Sequence, residues 1–136
     1  MPRFKVNVDG GARGNPGPAA IGVVIRQGDE VIADLSERIG EATNNVAEYR
    51  ALIAGIAHAA ELGATAIDLV GDSELVVKQV RGEYKVKNAG IKPLHAEVLA
   101  ALEPFDEWTI EHVRREENAE ADALVNQALD AGGTAP

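Results

Sequence analysis

The sequence predicts an α/β fold: a five-stranded mixed sheet, three antiparallel strands first and parallel strands after, with helices on both faces. Three features carry that expectation. The N-terminal segment alternates apolar and polar residues. Two apolar runs after it are joined by a two-residue Gly-Asp turn. The second half then switches between strand-like and helix-like periodicity.

Residues 3–9 (RFKVNVD) set Phe4, Val6 and Val8 on one face, so a half-buried strand is expected, ending at Asp9. The Gly/Pro-rich stretch GGARGNPGP reads as a loop. The runs Ala19 to Gln27 and Glu30 to Ile39 read as a hairpin turning at Gly28-Asp29. After Thr43-Asn44-Asn45, the spacing of Leu52, Ile53, Ile56, Ala59 and Ala60 predicts a helix that closes at Gly63. Residues 64–71 (ATAIDLVG) read as a buried strand. Asp72-Ser73 can then cap a short helix carrying Leu75, Val76, Gln79 and Val80 and stopping at Gly82. Pro93 can open a further helix through Leu94, Val98 and Leu102, and Trp108 to Val113 make a last strand. A final helix carries Ala121, Leu124, Val125, Ala128 and Leu129 and ends at Gly132 and Gly133.

With 136 residues, 46% hydrophobic and 26% charged, the chain is expected to form one domain over 1–131, with 132–136 a tail or linker remnant of a possible fused domain. No apolar run approaches the ~20 residues of a membrane helix. The N-terminus has no signal-peptide core, so a soluble, cytoplasmic monomer is expected. The count of 0 cysteines excludes a disulfide frame, a thiolate metal site and a thiol nucleophile. The net charge of −9 argues on average against a nucleic-acid ligand. That average hides a patch: between Lys78 and Lys92 the cations Lys78, Arg81, Lys85, Lys87 and Lys92 are opposed by Glu83 alone. Such a patch suits a phosphate backbone or a solvated helix end.

Asp9 and Asp72 each stand at the carboxyl end of an expected strand, the edge where ligands bind in open α/β sheets. As neighbours they would form a carboxylate pair wanting a divalent cation. Singly, Asp9 is also a turn former before Gly10-Gly11, and Asp72 a helix cap. Glu48 lies three residues after Asn45, the spacing of a capping box, yet a first-turn carboxylate also projects toward strand ends. Asp122 lies ~20° from Leu129 around the last helix, at the border of the apolar stripe, which turns it toward the rim of the sheet or leaves it a solvated edge residue.

These acids sit in four blocks: DGGARGNPGP at Asp9, TNNVAEYRAL around Glu48, VGDSELVVKQV around Asp72 and NAEADALVNQAL around Asp122. In this order, over nearly the whole chain, they resemble the type 1 ribonuclease H family. The resemblance implies an RNase H-like fold and endonucleolytic cutting of the RNA strand of RNA/DNA hybrids, leaving 5′-phosphate and 3′-hydroxyl ends. It implies that Asp9, Glu48, Asp72 and Asp122 form a catalytic quartet binding two Mg²⁺ or Mn²⁺ ions, with Asp9 the bridge. Hard carboxylate oxygens suit those ions.

The resemblance also places Asn15, Asn44 and Asn45 along the substrate groove, where amides suit the 2′-hydroxyl that marks RNA. Backbone groups of Gly10 and Gly11 would read the same hydroxyls, with Arg13 and Ser73 beside them and Thr43 on a DNA-strand phosphate. Asn15 and Asn45 equally fit turn and cap roles. Arg81, Lys85 and Lys87 match the family's basic handle, in which Tyr84 packs on the DNA strand or anchors locally. Many members carry a His between the last strand and last helix; here that stretch is Arg114-Arg115-Glu116-Glu117, so Asn118 and Arg115 are the residues to examine, and His58, His95 and His112 read as structural. The alternative reading is a non-catalytic module that binds hybrid or double-stranded RNA on the same fold; a third is a structural Ca²⁺ or Mg²⁺ site.

Overall fold

The computed structural model describes residues 2–133; the expected tail falls largely on 134–136, outside the described residues. Its sheet has five strands in the order β3-β2-β1-β4-β5: β1 (Arg3–Ala12), β2 (Gly17–Gln27), β3 (Glu30–Ala42), β4 (Ala66–Gly71) and β5 (Glu107–His112). β1 pairs antiparallel with β2 and parallel with β4; β2–β3 is antiparallel and β4–β5 parallel. The mixed sheet expected from the sequence is therefore what forms.

The helices are α1 (Asn44–Glu61), α2 (Glu74–Val80), α3 (Lys92–Leu102) and α4 (Ala119–Gly133), with a 3-10 turn at Arg115–Asn118. Phe4, Val6 and Val8 alternate along β1 and, with Ile21, Val23 and Ile25 of β2, meet Leu52 and Ile56 of α1 in the main core. The opposite face carries a smaller cluster of Ala20 with Val125, Ala128 and Leu129 of α4. Helices thus cover both faces, which is why β2 reads as a near-continuous apolar run from Ala19 to Ile25.

Three expectations at element ends are corrected. The Gly/Pro-rich stretch is not one long loop: β1 runs on through Gly10, Gly11 and Ala12, which pair with Ile21, Ala20 and Ala19. Gly10 is forced to lack a side chain, since a Cβ there would lie 2.2 Å from the Ala47 carbonyl oxygen. The cap of α1 is Thr43, not Asn45: its Oγ1 accepts from the Val46 N–H at 3.2 Å. In α2 the cap is Ser73, not Asp72, and Val77 is buried where Leu75 was expected; Leu75 is 41% exposed. Far from the candidate site, Arg3 grips Asp68 (2.7 and 2.8 Å) and Glu107 (2.9 Å), tying the starts of β1, β4 and β5 together.

Candidate active site

The parallel register between β1 and β4 ends at Asn7 opposite Val70. Asp9 stands two residues past the first and Asp72 two residues past the second, so side-chain alternation puts both carboxylates on the face and at the edge where the paired ladder stops. Glu48 reaches the same place from the first turns of α1. It does not close a capping box: its Oε1 accepts from the Gly10 N–H at 2.8 Å, across 38 residues of chain. The bare backbone at Gly10 is what lets α1 come close enough for this bond.

Ligand oxygens of Asp9, Glu48 and Asp72 lie within 4.8 Å of one another. Asp9 is 5% and Glu48 6% exposed, and among the described residues no Lys, Arg or His forms an ion pair with any of the three. Burial pushes the Asp9 carboxyl up to about 7, the Asp72 and Asp122 charges add to it, and a hydrogen bond with Glu48 works the other way. Burial, then the hydrogen bond with Asp9, holds Glu48 well above the usual carboxylate range, against the Gly10 N–H. The Asp72 Oδ2 atom is buried with no hydrogen-bond partner. Three clustered carboxylates and an orphaned buried oxygen are a donor set that fits a hard divalent cation.

Asp122 stands outside this trio but lines the same cavity, of about 430 Å³, together with Arg13, Asn44, Asn45, Ser73 and Arg115. Its Oδ2 accepts from Asn126 Nδ2 at 3.4 Å, an i to i+4 contact on α4. Asn126 also lines the cavity and went unrecognised in the sequence, although the Asp-x-x-x-Asn spacing was there to see. The four acids named from the sequence thus reach one cavity, three in close contact and one at its wall.

The expected groove residues divide. Asn44 Oδ1 accepts from the Ala12 N–H (2.9 Å), and Asn15 Oδ1 from the Asn44 N–H (3.0 Å). Both amides have their oxygens committed, so their NH₂ groups are the ends left for a ligand. Arg13 pairs with Asp130 of α4 at 2.5 Å at the cavity mouth. A second cavity, of about 590 Å³, adjoins the first at Asn44 and Asn45 and is lined also by Asn15, Thr43, Gln79 and Asn88. Asn88 was missed because it lies among the cations of the basic stretch; its Oδ1 accepts from the Gly90 (2.8 Å) and Ile91 (3.1 Å) N–H groups and shapes the entry to α3.

Asn118 is corrected: it is 2% exposed, donates to the Val8 carbonyl (2.8 Å) and accepts from Asn7 Nδ2 (3.0 Å), so it fastens the 3-10 turn to β1 and offers nothing to a substrate. Arg81 turns toward β5, its Nε donating to the Ile110 carbonyl at 2.9 Å, away from the acid cavity. Lys85 and Lys87 are exposed. Tyr84, 46% exposed, is no core anchor; Lys78 Nζ lies 5.0 Å from its ring centre.

Residues 7–128 match the family model described as "Reverse transcriptase-like". The chain is similar to RNase H1 of the halophilic archaeon Halobacterium salinarum NRC-1, whose structure superposes with a TM-score of 0.93 at 45% identity, covering 95% of this chain and 98% of that one. The chain belongs to the ribonuclease H family. Curated ribonuclease HI of Halobacterium salinarum is 47% identical over 129 residues, 94% of this chain and 65% of that protein. Bifunctional protein Rv2228c of Mycobacterium tuberculosis is 46% identical over 128 residues, 93% of this chain but 35% of that protein. The chain therefore spans about two thirds or less of these ribonuclease H relatives. LC11-RNase H1, solved in complex with an RNA/DNA hybrid, superposes with a TM-score of 0.92 at 41% identity over 96% of this chain and 99% of that one.

The acid cluster dictates a pH dependence for the metal-free protein. A carboxyl raised to about 7 on folding binds its proton more tightly in the native state, so its contribution to stability is complete below the unfolded value and is lost as pH rises through about 7. Melting followed by circular dichroism in EDTA is expected to show a lower Tm at pH 8 than at pH 6. Mg²⁺ is expected to raise the pH 8 value most. A Tm that climbs from pH 6 to pH 8 in EDTA contradicts the assigned burial.

Proposed function

We propose that this chain is a metal-dependent endoribonuclease that hydrolyses the RNA strand of RNA/DNA hybrids, using two Mg²⁺ or Mn²⁺ ions and leaving 5′-phosphate and 3′-hydroxyl ends. The observation that carries this reading is the meeting of Asp9, Glu48 and Asp72 with a buried Asp72 oxygen that lacks a donor. The hybrid bound by LC11-RNase H1 supports the substrate.

In this mechanism Asp9, Glu48 and Asp72 hold the ions, and Asp122 completes the set from the wall of the cavity. Such ions, when bound, acidify water and neutralise charge on the phosphate and the leaving 3′ oxygen in an in-line displacement. The protein's part is placement. Gly10 fixes Glu48 through its N–H, so this carboxylate does not reorganise when a substrate arrives. The free NH₂ ends of Asn15 and Asn44 present donors to the 2′-hydroxyl of the RNA strand. Lys85 and Lys87, exposed in the segment between α2 and α3, supply cations to the DNA backbone.

The test is cleavage of a hybrid labelled on its RNA strand, with single-stranded RNA, duplex DNA and duplex RNA as controls and with Mg²⁺, Mn²⁺ or EDTA present. Cleavage of the hybrid alone, only with metal, and extension of the fragments by a polymerase from a 3′-hydroxyl are expected. Tight hybrid binding without turnover in either metal would replace the enzyme by a binding module.

A further inference from the structure

A third cavity, of about 380 Å³, opens between β1, the β2–β3 turn and the start of α4. It shares no lining residue with the cavity around Asp9 and Asp122. Asn7 of β1 lines it and is 6% exposed. Strand alternation sets this side chain on the face opposite Val6 and Val8. Its Nδ2 donates to Asn118 Oδ1 at 3.0 Å, and Asn118 Nδ2 donates in turn to the Val8 carbonyl at 2.8 Å. A backbone carbonyl can only accept, so this chain of bonds fixes which end of each amide is the oxygen. The Asn7 Oδ1 that results is buried and has no hydrogen-bond partner among the described residues.

A buried oxygen without a donor costs free energy, which any group bringing positive charge or an N–H to it would recover. The nearby cations are engaged elsewhere. Lys5, two residues back on the same face, stands opposite Asp68 in the β1–β4 register, and the Arg26 guanidinium is paired with Glu120. The rest of the wall selects what can come. Asp29, Glu117 and Glu120 line it against Lys5 and Arg26, so three carboxylates face two cations and one negative charge is left uncancelled. A singly charged cation restores the balance, whereas a divalent ion would bring excess positive charge beside Lys5 and Arg26. Amide oxygens such as those of Asn7 and Asn118 are the carbonyl-type ligands that replace the water shell of an alkali cation.

We propose that Asn7, with Asn118 and the surrounding carboxylates, forms a second ion site that holds a monovalent alkali cation and braces the 3-10 turn against β1. Its test compares Tm by circular dichroism in EDTA, in KCl and in choline chloride at equal ionic strength, so that screening of a chain of net charge −9 is the same in both. In the wild type the KCl value is expected to be higher by about 3–5 °C, and in Asn7→Leu the difference between the two salts is expected to vanish, whatever the variant's own baseline. A wild-type crystal soaked in thallium(I) acetate, an anomalous stand-in for K⁺, is expected to show a peak in contact with Asn7 Oδ1.

Equal wild-type Tm in the two salts, or a KCl advantage that Asn7→Leu retains, overturns the inference. So does a thallium map whose peaks all lie elsewhere, at the Asp9, Glu48 and Asp72 cluster for instance, or one in which an ordered water alone meets Asn7 Oδ1. If Asn7→Leu fails to fold, the map decides alone. None of these results touches the nuclease reading, which rests on other residues.

Discussion

Replacing Asp9 by Asn is expected to cut kcat for hybrid cleavage by about a thousandfold or more, the scale of losing a principal electrostatic group at a reacting centre. The same substitution is expected to stabilise the metal-free protein. The two effects have one cause: Asp9 is 5% exposed, and burial together with the Asp72 and Asp122 charges opposes its ionisation. An amide of the same shape carries no charge to desolvate, so in EDTA at pH 8 the variant's Tm is expected to exceed that of the wild type. With Mg²⁺ the order should narrow or reverse, because only the wild type retains the full donor set for stabilisation by binding. A residue placed for packing alone would lose stability on substitution and leave activity in the folded fraction untouched. Equal turnover by Asp9→Asn and wild type would remove the site from the account.

Gly10→Ala is expected to perturb the structure strongly for a single added methyl group. A Cβ at this position lies 2.2 Å from the Ala47 carbonyl oxygen and 2.6 Å from the Glu48 backbone nitrogen. Those are main-chain atoms in an 18-residue helix, so no rotamer change can relieve the contact. Either α1 lifts from β1 or β1 bends. Overpacking of this kind costs about 1–3 kcal/mol in a domain whose whole stability is about 5–15 kcal/mol. A Tm lower by roughly 5–10 °C is expected. Activity should fall further than folding, since displacement of α1 breaks the bond from the Gly10 N–H that aims Glu48. An alanine variant with wild-type Tm and turnover would mean that the helix does not approach this closely.

How much of this was legible in the sequence depends on whether a feature is local. Phe4, Val6 and Val8 announce their strand by alternation, and the main core forms on that face. Asp122 was legible from helical phase, and Asp9 and Asp72 from their places after strands. What escaped was set by partners distant in the chain. Glu48 has the spacing of a capping box, but a bare strand 38 residues away offers a better donor. Gly10 and Gly11 have loop composition, yet they are paired strand residues, and at Gly10 the bare backbone is what lets α1 pass so close. Asn118 reads as an exposed loop amide, and only the 110 residues' separation from Val8 in the folded chain shows why it is interior. Gln79 was read as part of an apolar helix face; its hydrogen bonds come from Tyr49 and His95, on two other helices.

The central claim is that Asp9, Glu48, Asp72 and Asp122 together bind divalent ions. The most direct measurement is an anomalous difference map from a crystal soaked in Mn²⁺. Two peaks among these four side chains, one of them against the Asp72 oxygen that has no protein partner, are the expected result. A map with no peak at the cluster, in a crystal where Mn²⁺ binds elsewhere on the chain, would contradict it.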